Sequence, residues 1–375
     1  MAIVIDLSTL TFTNQADIVP LSGTAEIINT GIANTLAGND TITGTSTNNF
    51  GIFNEVGGTI KTGAGNDSIS GTATGEFGAG IYNAYDDTTI KTGAGNDIIT
   101  GTGTGDDLRG ILNEGTINTG TGNDFISGAS TNNEGILNEG ILKTGAGKDT
   151  ITATATGATN SMVNIGPIDT GAGNDSISAT ATGGEFGNGI VNIATIKTGA
   201  GNDTITGTST NGGIGIDNTI SGIIDTGNGN DIITDTGGGI FNGVTIDTGN
   251  GNDIITATGG GIYNDGSINT GTGNDIVDAL TGGFIGAGTI QLGNGADILK
   301  GFGNGFFDGG NGNKDTLLFD TGSYTVSDNV NLDGFYTVSN GSTDMLIKNF
   351  EFISSASDPG DAFSFSSVIG ETFMV

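Results

Sequence analysis

The sequence predicts an all-β protein, a parallel β-helix or β-roll solenoid with about three short strands per coil and a β-rich C-terminal cap. Three observations predict it. Gly supplies 73 of the 375 residues, far above the roughly 7% of ordinary proteins. A turn of the form "TGAGNDTITG" (residues 198–207) recurs down most of the chain, and Ile recurs at fixed offsets from it.

Composition narrows the class. Only three Pro occur and no three-residue Gly period is visible, which excludes collagen, while 34% hydrophobic residues argue against a disordered Gly/Ser linker. A repeat can stack beyond the usual domain size because each unit contacts only its neighbours, so one elongated, monomeric body is expected. There are 41 acidic against nine basic residues, a formal charge of −32. That charge rejects nucleic acid and anionic membrane as partners and favours multivalent cations. Cys and His are both absent, removing disulfides, thiol nucleophiles, imidazole bases and metal sites with N or S ligands. Any metal here must prefer oxygen. The opening "MAIVIDLSTLTFTNQADIVP" carries an Asp where a secretory signal would have Lys or Arg. No segment approaches 18 uninterrupted apolar residues, so no membrane span is expected.

The Asp of each turn serves as a marker: Asp40, Asp67, Asp97, Asp124, Asp149, Asp175, Asp203, Asp231, Asp253, Asp275 and Asp297, then a more divergent Asp315, at intervals of 27, 30, 27, 25, 26, 28, 28, 22, 22, 22 and 18 residues. Variable spacing around a constant core means loops of different length inserted into one repeated coil. The short coil "DIITATGGGIYNDGSINTGTGN", from Asp253, holds three β-branched runs separated by Gly and Asn, the punctuation of strands and turns.

Each run supplies one inward column by the period-two rule. The first column lies two residues after the marker: Ile42, Ile69, Ile99, Ile126, Ile151, Ile177, Ile205, Ile233, Ile255, Val277 and Leu299. The second comes from "GIFN" and its relatives: Ile52, Ile81, Ile111, Ile136, Met162, Ile190, Ile216, Ile240 and Ile262, with the next residue, from Phe53 to Asp217, facing out. The third lies in "TIKTG" and its variants: Ile60, Ile90, Ile117, Leu142, Ile168, Ile196, Ile224, Ile246, Ile268 and Ile290. Three such ladders fill a narrow triangular tube. Asn recurs two residues after the middle Ile, from Asn54 to Asn264. The same parity turns it inward, where stacked amides form a ladder; simple tolerance of a left-handed turn is the alternative at any one site, and nine in register favour the ladder.

In "TGAGND" two Gly permit tight turning and bring carbonyl oxygens close together, while Asp supplies charge. Stacked at ~4.8 Å, neighbouring carboxylates repel by roughly 0.9 kcal/mol even in bulk water, and calcium between successive turns removes that repulsion. The motif resembles the GGxGxDxUx nonapeptide of the hemolysin-type, or RTX, calcium-binding family, a known parallel β-roll or β-helix architecture. The resemblance covers about residues 31 to 320 and is closest in "LGNGADILKGFGNGFFDGGNGNKDTLLF"; the segment "STDMLIKNFEFI" is also similar to the family's closing segment. Here the first Gly of the nonapeptide is usually Thr (Thr62, Thr92, Thr198), and the motif occurs once per coil.

The resemblance implies about ten calcium ions, each held by oxygen ligands as hard cations require. The ligands it implies are each marker Asp with the Gly four and two residues before it: Gly63, Gly65 and Asp67; Gly93, Gly95 and Asp97; Gly120, Gly122 and Asp124; Gly145, Gly147 and Asp149; Gly171, Gly173 and Asp175; Gly199, Gly201 and Asp203. The series continues with Gly227, Gly229 and Asp231; Gly249, Gly251 and Asp253; Gly271, Gly273 and Asp275; Gly293, Gly295 and Asp297; Asp40 and Asp315 complete it without a full Gly pair. Lys148 replaces Asn before Asp149, and Leu36 replaces the first Gly of the Asp40 turn.

The expected organisation is an N-terminal cap over 1–30, calcium-binding coils over 31–300, final RTX-like coils and cap over 301–353, and a C-terminal export signal over 354–375, where "ETFMV" is similar to the uncleaved signal of RTX proteins. Ten of the 18 Phe fall in the last 75 residues, as a cap over an open solenoid end requires. The functional expectation is a secreted, calcium-dependent structural or adhesin-like module at a bacterial surface, engaging a surface glycan or protein. Ice binding is a different expectation. Thr or Ser at positions one, three and five after the marker (Thr41, Thr43, Thr45; Ser68, Ser70, Thr72; Thr150, Thr152, Thr154; Thr204, Thr206, Thr208) would face out, although Phe125, Ile232, Ile254 and Ile276 interrupt the first column. A polysaccharide-acting enzyme is the third. Arg109 is the only Arg and lies in a variable loop, so no catalytic residue is assigned.

Overall fold

A computed structural model describes residues 3–21, 24–157, 160–183, 185–329, 332 and 334–375. After each marker from Asp40 to Asp275 the chain makes three short strands, each joining a different sheet, before returning to the next marker. The coil of Asp203 is typical, with strands Thr204–Ser209, Ile216–Asn218 and Ile223–Asp225. The strand after the marker belongs to a 15-stranded sheet, the middle strand to a 12-stranded sheet and the last to a 16-stranded sheet. We call these the hydroxyl, amide and lysine sheets after their outer or inner ladders. Along the solenoid body every pairing is parallel and in register: Ile177 pairs Ile205, Ile190 pairs Ile216 and Ile196 pairs Ile224.

The three apolar columns point inward and are at most 2% exposed. Each buried Ile contributes on the order of 1.5–3 kcal/mol, and no single coil holds enough of them to stand alone, so the coils are stable only as a stack. Ile27 and Ala33 continue the columns at the N-terminal end, and Phe284, Phe307 and Leu317 do so at the other. The tube is pinched where the hydroxyl and amide sheets meet backbone to backbone: a Cβ on Gly71 would lie 2.0 Å from the Gly80 carbonyl oxygen. Gly or Ala therefore fills this inner row from Gly44 to Gly207, through Gly101, Gly128, Ala153 and Ala179.

Asp235 breaks that row and is fully buried; one oxygen, Oδ2, accepts the Gly239 N–H at 2.9 Å. Its position coincides with the change from 28-residue to 22-residue coils. The carboxylate fastens the tight Gly237–Gly239 connection that replaces the longer loops before it.

Ten asparagines form an inner amide ladder. Each Nδ2 from Asn29 to Asn242 donates to the Oδ1 of the next coil's Asn at 2.7–2.9 Å. The ladder ends at Asn264, because the register brings Gly286 to the next position. Asn29 belongs to it although it lies in the expected N-terminal cap, and its own Oδ1 has no partner. The stretch before residue 31 is an irregular first coil: Val4–Asp6 and Glu26–Asn29 join the amide sheet, and Ile18–Val19 joins the hydroxyl sheet.

At the C-terminal end the pairing turns antiparallel. Ser323–Asp328, Tyr336–Ser339 and Asp344–Lys348 form a meander on the lysine sheet, and Phe352–Ser355 pairs with Asp358–Ser364. Phe302, Phe319 and Tyr324 pack together there, with ring centroids 4.8–5.4 Å apart. The segment 354–375, expected as an export signal, is part of this cap: Thr372 to Met374 pairs antiparallel with Ser323 to Thr325, and Phe373 is buried. Among the described residues no helix is long and apolar enough to cross a membrane.

Candidate cation corner

The recurring turn lies where the lysine sheet passes into the hydroxyl sheet. From the Asp67 turn to the Asp275 turn both Gly have positive φ, for example 97° at Gly199 and 139° at Gly201, a region open to Gly and costly for residues with a Cβ. A Cβ on Gly201 would also lie 1.6 Å from the Gly173 carbonyl oxygen of the preceding coil. The second Gly carbonyls thus point along the axis. From Gly65 to Gly273 they accept no N–H among the described residues, whereas first Gly carbonyls serve the ladder, as when Ala200 N–H donates to Gly171 at 3.0 Å. The second carbonyl is the freer of the two candidate ligands.

Three side-chain columns staple successive turns. The hydroxyl of each Thr five residues before the marker, from Thr35 to Thr270, donates to the carbonyl at the equivalent position of the next coil at 2.7–3.3 Å. This is the physical reason for Thr where the nonapeptide has Gly. The Asn before the marker accepts the following coil's N–H through Oδ1, as from Asn202 to Asn174 at 2.9 Å and from Asn230 to Asn202 at 2.8 Å. Lys148 N–H still donates to Asn123 at 2.7 Å, but its side chain has no oxygen for Asn174 and the column is broken there.

The marker Asp column runs in the opposite sense. Each marker N–H donates to the next marker's Oδ1 at 2.7–2.9 Å, from Asp40 through Asp297. Asp17 supplies an N–H to Asp40 at one end, and Glu351 accepts from Asp315 N–H at 2.9 Å at the other. The carboxylates are at most 1% exposed. In eleven of them, Asp67 through Asp315, the second oxygen Oδ2 has no hydrogen-bond partner. From Asp67 through Asp275 the Thr five residues before the marker lies beside the carboxylate, as Thr198 does beside Asp203, and its one hydrogen is shared with the next coil's carbonyl, 3.2 Å away for Thr198 and Thr226. Asp40 differs, because its Oδ2 lies within hydrogen-bonding reach of the Thr35 hydroxyl, and the one Thr35 hydrogen is shared between that oxygen and the Thr62 carbonyl.

Burial pushes these acids up, most strongly Asp275, to about 7, and Asp124, Asp175, Asp231, Asp297 and Asp315 to about 6, although the accepted N–H pulls each the other way. Asp67, Asp97, Asp149, Asp203 and Asp253 are raised for the same reason.

From Asp67 to Asp275 the corner stacks the marker Asp and the Gly pair of successive coils and offers, per coil, one carboxylate oxygen outside the N–H ladder and one axial carbonyl. This all-oxygen set suits a hard cation. No three acidic side chains gather at one point among the described residues; the donors form a line, and an ion there would draw on two neighbouring coils. Asp17, Asn29 and Glu351 were not among the expected participants. Register was the missing signal: Asp17 lies 23 residues before Asp40 and Asn29 lies 25 before Asn54, both within the range of the repeat, whereas Glu351 follows a 36-residue excursion. No protein-family model matches this chain, and no curated protein matches it.

Proposed function

We propose that this chain is a calcium-stabilised solenoid of the hemolysin type, secreted from a bacterial cell and serving at or beyond its surface as a structural or interaction module. One observation carries the reading: the column of eleven buried, unpartnered Asp Oδ2 atoms. An ionised carboxylate buried with one oxygen unpaired and no counter-charge is unfavourable, and a cation shared between neighbours removes that cost. Asp67 through Asp297, with Gly65 through Gly295, would hold the ions. Calcium supplies positive charge there; the chain's own contribution is to align the oxygens by the Thr and Asn staples. Because calcium binds only the folded form, it draws folding by mass action, and extracellular modules bind at roughly 0.1–1 mM. The chain would then stay open in a low-calcium cytoplasm and fold outside. A calcium-soaked crystal examined by anomalous scattering tests the site: a row of cations is expected, and cations in fewer than half the turns overturn it. Circular dichroism during a calcium titration tests the switch, which a full β signal in excess EDTA at 37 °C would exclude.

A second reading, ice binding, is favoured by a separate observation. On the hydroxyl sheet Thr43, Ser70, Thr100, Ser127, Thr152, Ser178, Thr206, Thr234 and Thr256 stand in one unbroken outward register. A parallel row runs two residues on, from Thr45 to Thr236.

A further inference from the structure

The outer face of the lysine sheet carries a feature that the calcium column does not explain. Lys61, Lys91, Asn118 and Lys143 occupy equivalent positions on four successive coils. They line an open groove of about 540 Å³ with Gly93 and Thr121, and no carboxylate lines it. In a chain with 41 acidic and nine basic residues, an acid-free strip holding three lysines is a concentration of opposite charge. Lys61 and Lys91 are exposed neighbours, make no ion pair among the described residues, and stack like charge on like, which is unfavourable in the empty groove. Farther along the row Asp169, Lys197 and Asp225 alternate and pair: Lys143 lies 3.9 Å from Asp169, and Lys197 lies 3.7 Å from Asp225. The unneutralised lysines are therefore Lys61 and Lys91, and the stretch ends where Lys143 meets Asp169.

We propose that this groove binds a strand of acidic polysaccharide laid along the solenoid axis. The coils repeat at the strand separation, ~4.8 Å, close to the length of one extended pyranose unit, so a strand laid along the axis stays in step with the coils and turns every second uronate carboxylate toward them, within reach of the flexible lysines. Lysine suits this task, being a flexible point charge that does not demand one fixed geometry. The Asn118 amide and Thr121 hydroxyl offer hydrogen bonds to sugar hydroxyls. No aromatic side chain lines the groove, so nucleobases would find no stacking platform. At ~0.1 M salt the Debye length is about 10 Å, which screens the exposed carboxylates of distant coils; the marker carboxylates of the same turns are neutralised by the bound calcium of the proposed corner.

The proposal rests on the interaction-module reading, and the groove shares Gly63, Gly93, Gly120 and Gly145 with the cation corner. The test uses the full chain in 1 mM calcium, folded by circular dichroism, with an eight-sugar glucuronate chain too short to gel. Isothermal titration is expected to show binding of the glucuronate but not of a neutral eight-sugar glucan. The triple variant Lys61→Gln, Lys91→Gln, Lys143→Gln changes only exposed side chains and should keep its β signal while binding at least tenfold more weakly. Undiminished binding by the triple variant would overturn the groove while leaving an interaction role on another face. Tighter binding of a single-stranded oligonucleotide of equal charge would overturn the polysaccharide, and so would absence of glucuronate binding by the folded chain. The interaction-module reading fails separately, if folded protein is not retained at the surface of producing cells.

Discussion

The backbone N–H of Asp175 donates to Oδ1 of Asp203 at 2.7 Å, while Oδ2 of Asp203, equally buried, has no partner. One carboxylate thus has two separable roles: an acceptor that staples the preceding coil, and a charge that awaits compensation. Asp203→Asn keeps the acceptor and removes the charge. It should make the metal-free fold more stable and reduce the stabilisation that calcium adds. Asp203→Ala removes both and strands a buried N–H, costing about 1–3 kcal/mol with or without calcium. Urea denaturation of both variants with and without calcium checks this; equal behaviour of Asn and Ala would mean that the charge has no role.

The raised acids set an unusual pH dependence for the metal-free protein. Their folded values, about 6 for Asp124, Asp175, Asp231, Asp297 and Asp315 and about 7 for Asp275, lie above the unfolded value near 3.9. Between those values the folded chain holds more protons than the unfolded one, so stability falls as pH rises. The contribution is full below about pH 4 and is lost through pH 6 to 7. Thermal melts in EDTA should therefore give a higher midpoint at pH 4.5 than at pH 7.5, where it should lie below 37 °C, and saturating calcium should flatten or reverse the difference. A midpoint that rises toward neutrality in EDTA would contradict the buried, uncompensated column.

Leu36 stands where other turns have their first Gly, and it keeps the same left-handed conformation, with φ of 75°. It is 43% exposed, so little packing offsets the strain, which is about 1–2 kcal/mol for a residue with a Cβ. Leu36→Gly should stabilise the folded chain by about 1 kcal/mol, less than the full strain because Gly also gains freedom in the unfolded chain. Chemical denaturation at fixed calcium measures it, and a destabilised variant would show that the leucine side chain holds the entry to the first turn.

Much of the fold was legible because a coil restates its own constraints. The Ile columns, the inward Asn and the strand order follow from a period of two restarted at each marker, and errors at one coil are corrected by its neighbours. Single-use features were opaque for the same reason. Asp235 reads as one more polar residue in "TDTGGG", and nothing local tells that it enters the row of Gly207. Glu351 completes the Asp column only after the cap meander, between Asp315 and residue 351, brings the chain back, a closure set by antiparallel pairing rather than by spacing. At the corner the residues were legible but their direction was not. Asp side chains read as turn-end charges turn out to be buried acceptors for the preceding coil, since only the stacked backbone shows which N–H groups need a partner.

The hydroxyl sheet yields the remaining prediction. For a face to order water in an ice-like pattern it must be flat, regular and free to donate and accept outward. Regularity is good in the two inner columns: the one from Thr43 to Thr256 is unbroken, and the one from Thr45 to Thr236 is broken only by Ala129. Beside them the column nearest the corner carries Ile98, Phe125, Ile232, Ile254 and Ile276, so the usable strip is two residues wide. Freedom is incomplete, since the Thr208 and Thr236 hydroxyls lie 2.6 Å apart and bond to each other. These features together predict shaped ice crystals with only slight thermal hysteresis at high protein concentration. Ala129→Thr, which fills the gap, should increase the hysteresis, and Thr152→Tyr, which places a ring across the strip, should abolish shaping while leaving the β signal intact. Unshaped ice at high concentration of folded protein would remove ice as a ligand, and the hydroxyl columns would then be read as the solvated face of a sheet in which Thr is favoured by its β-branched shape.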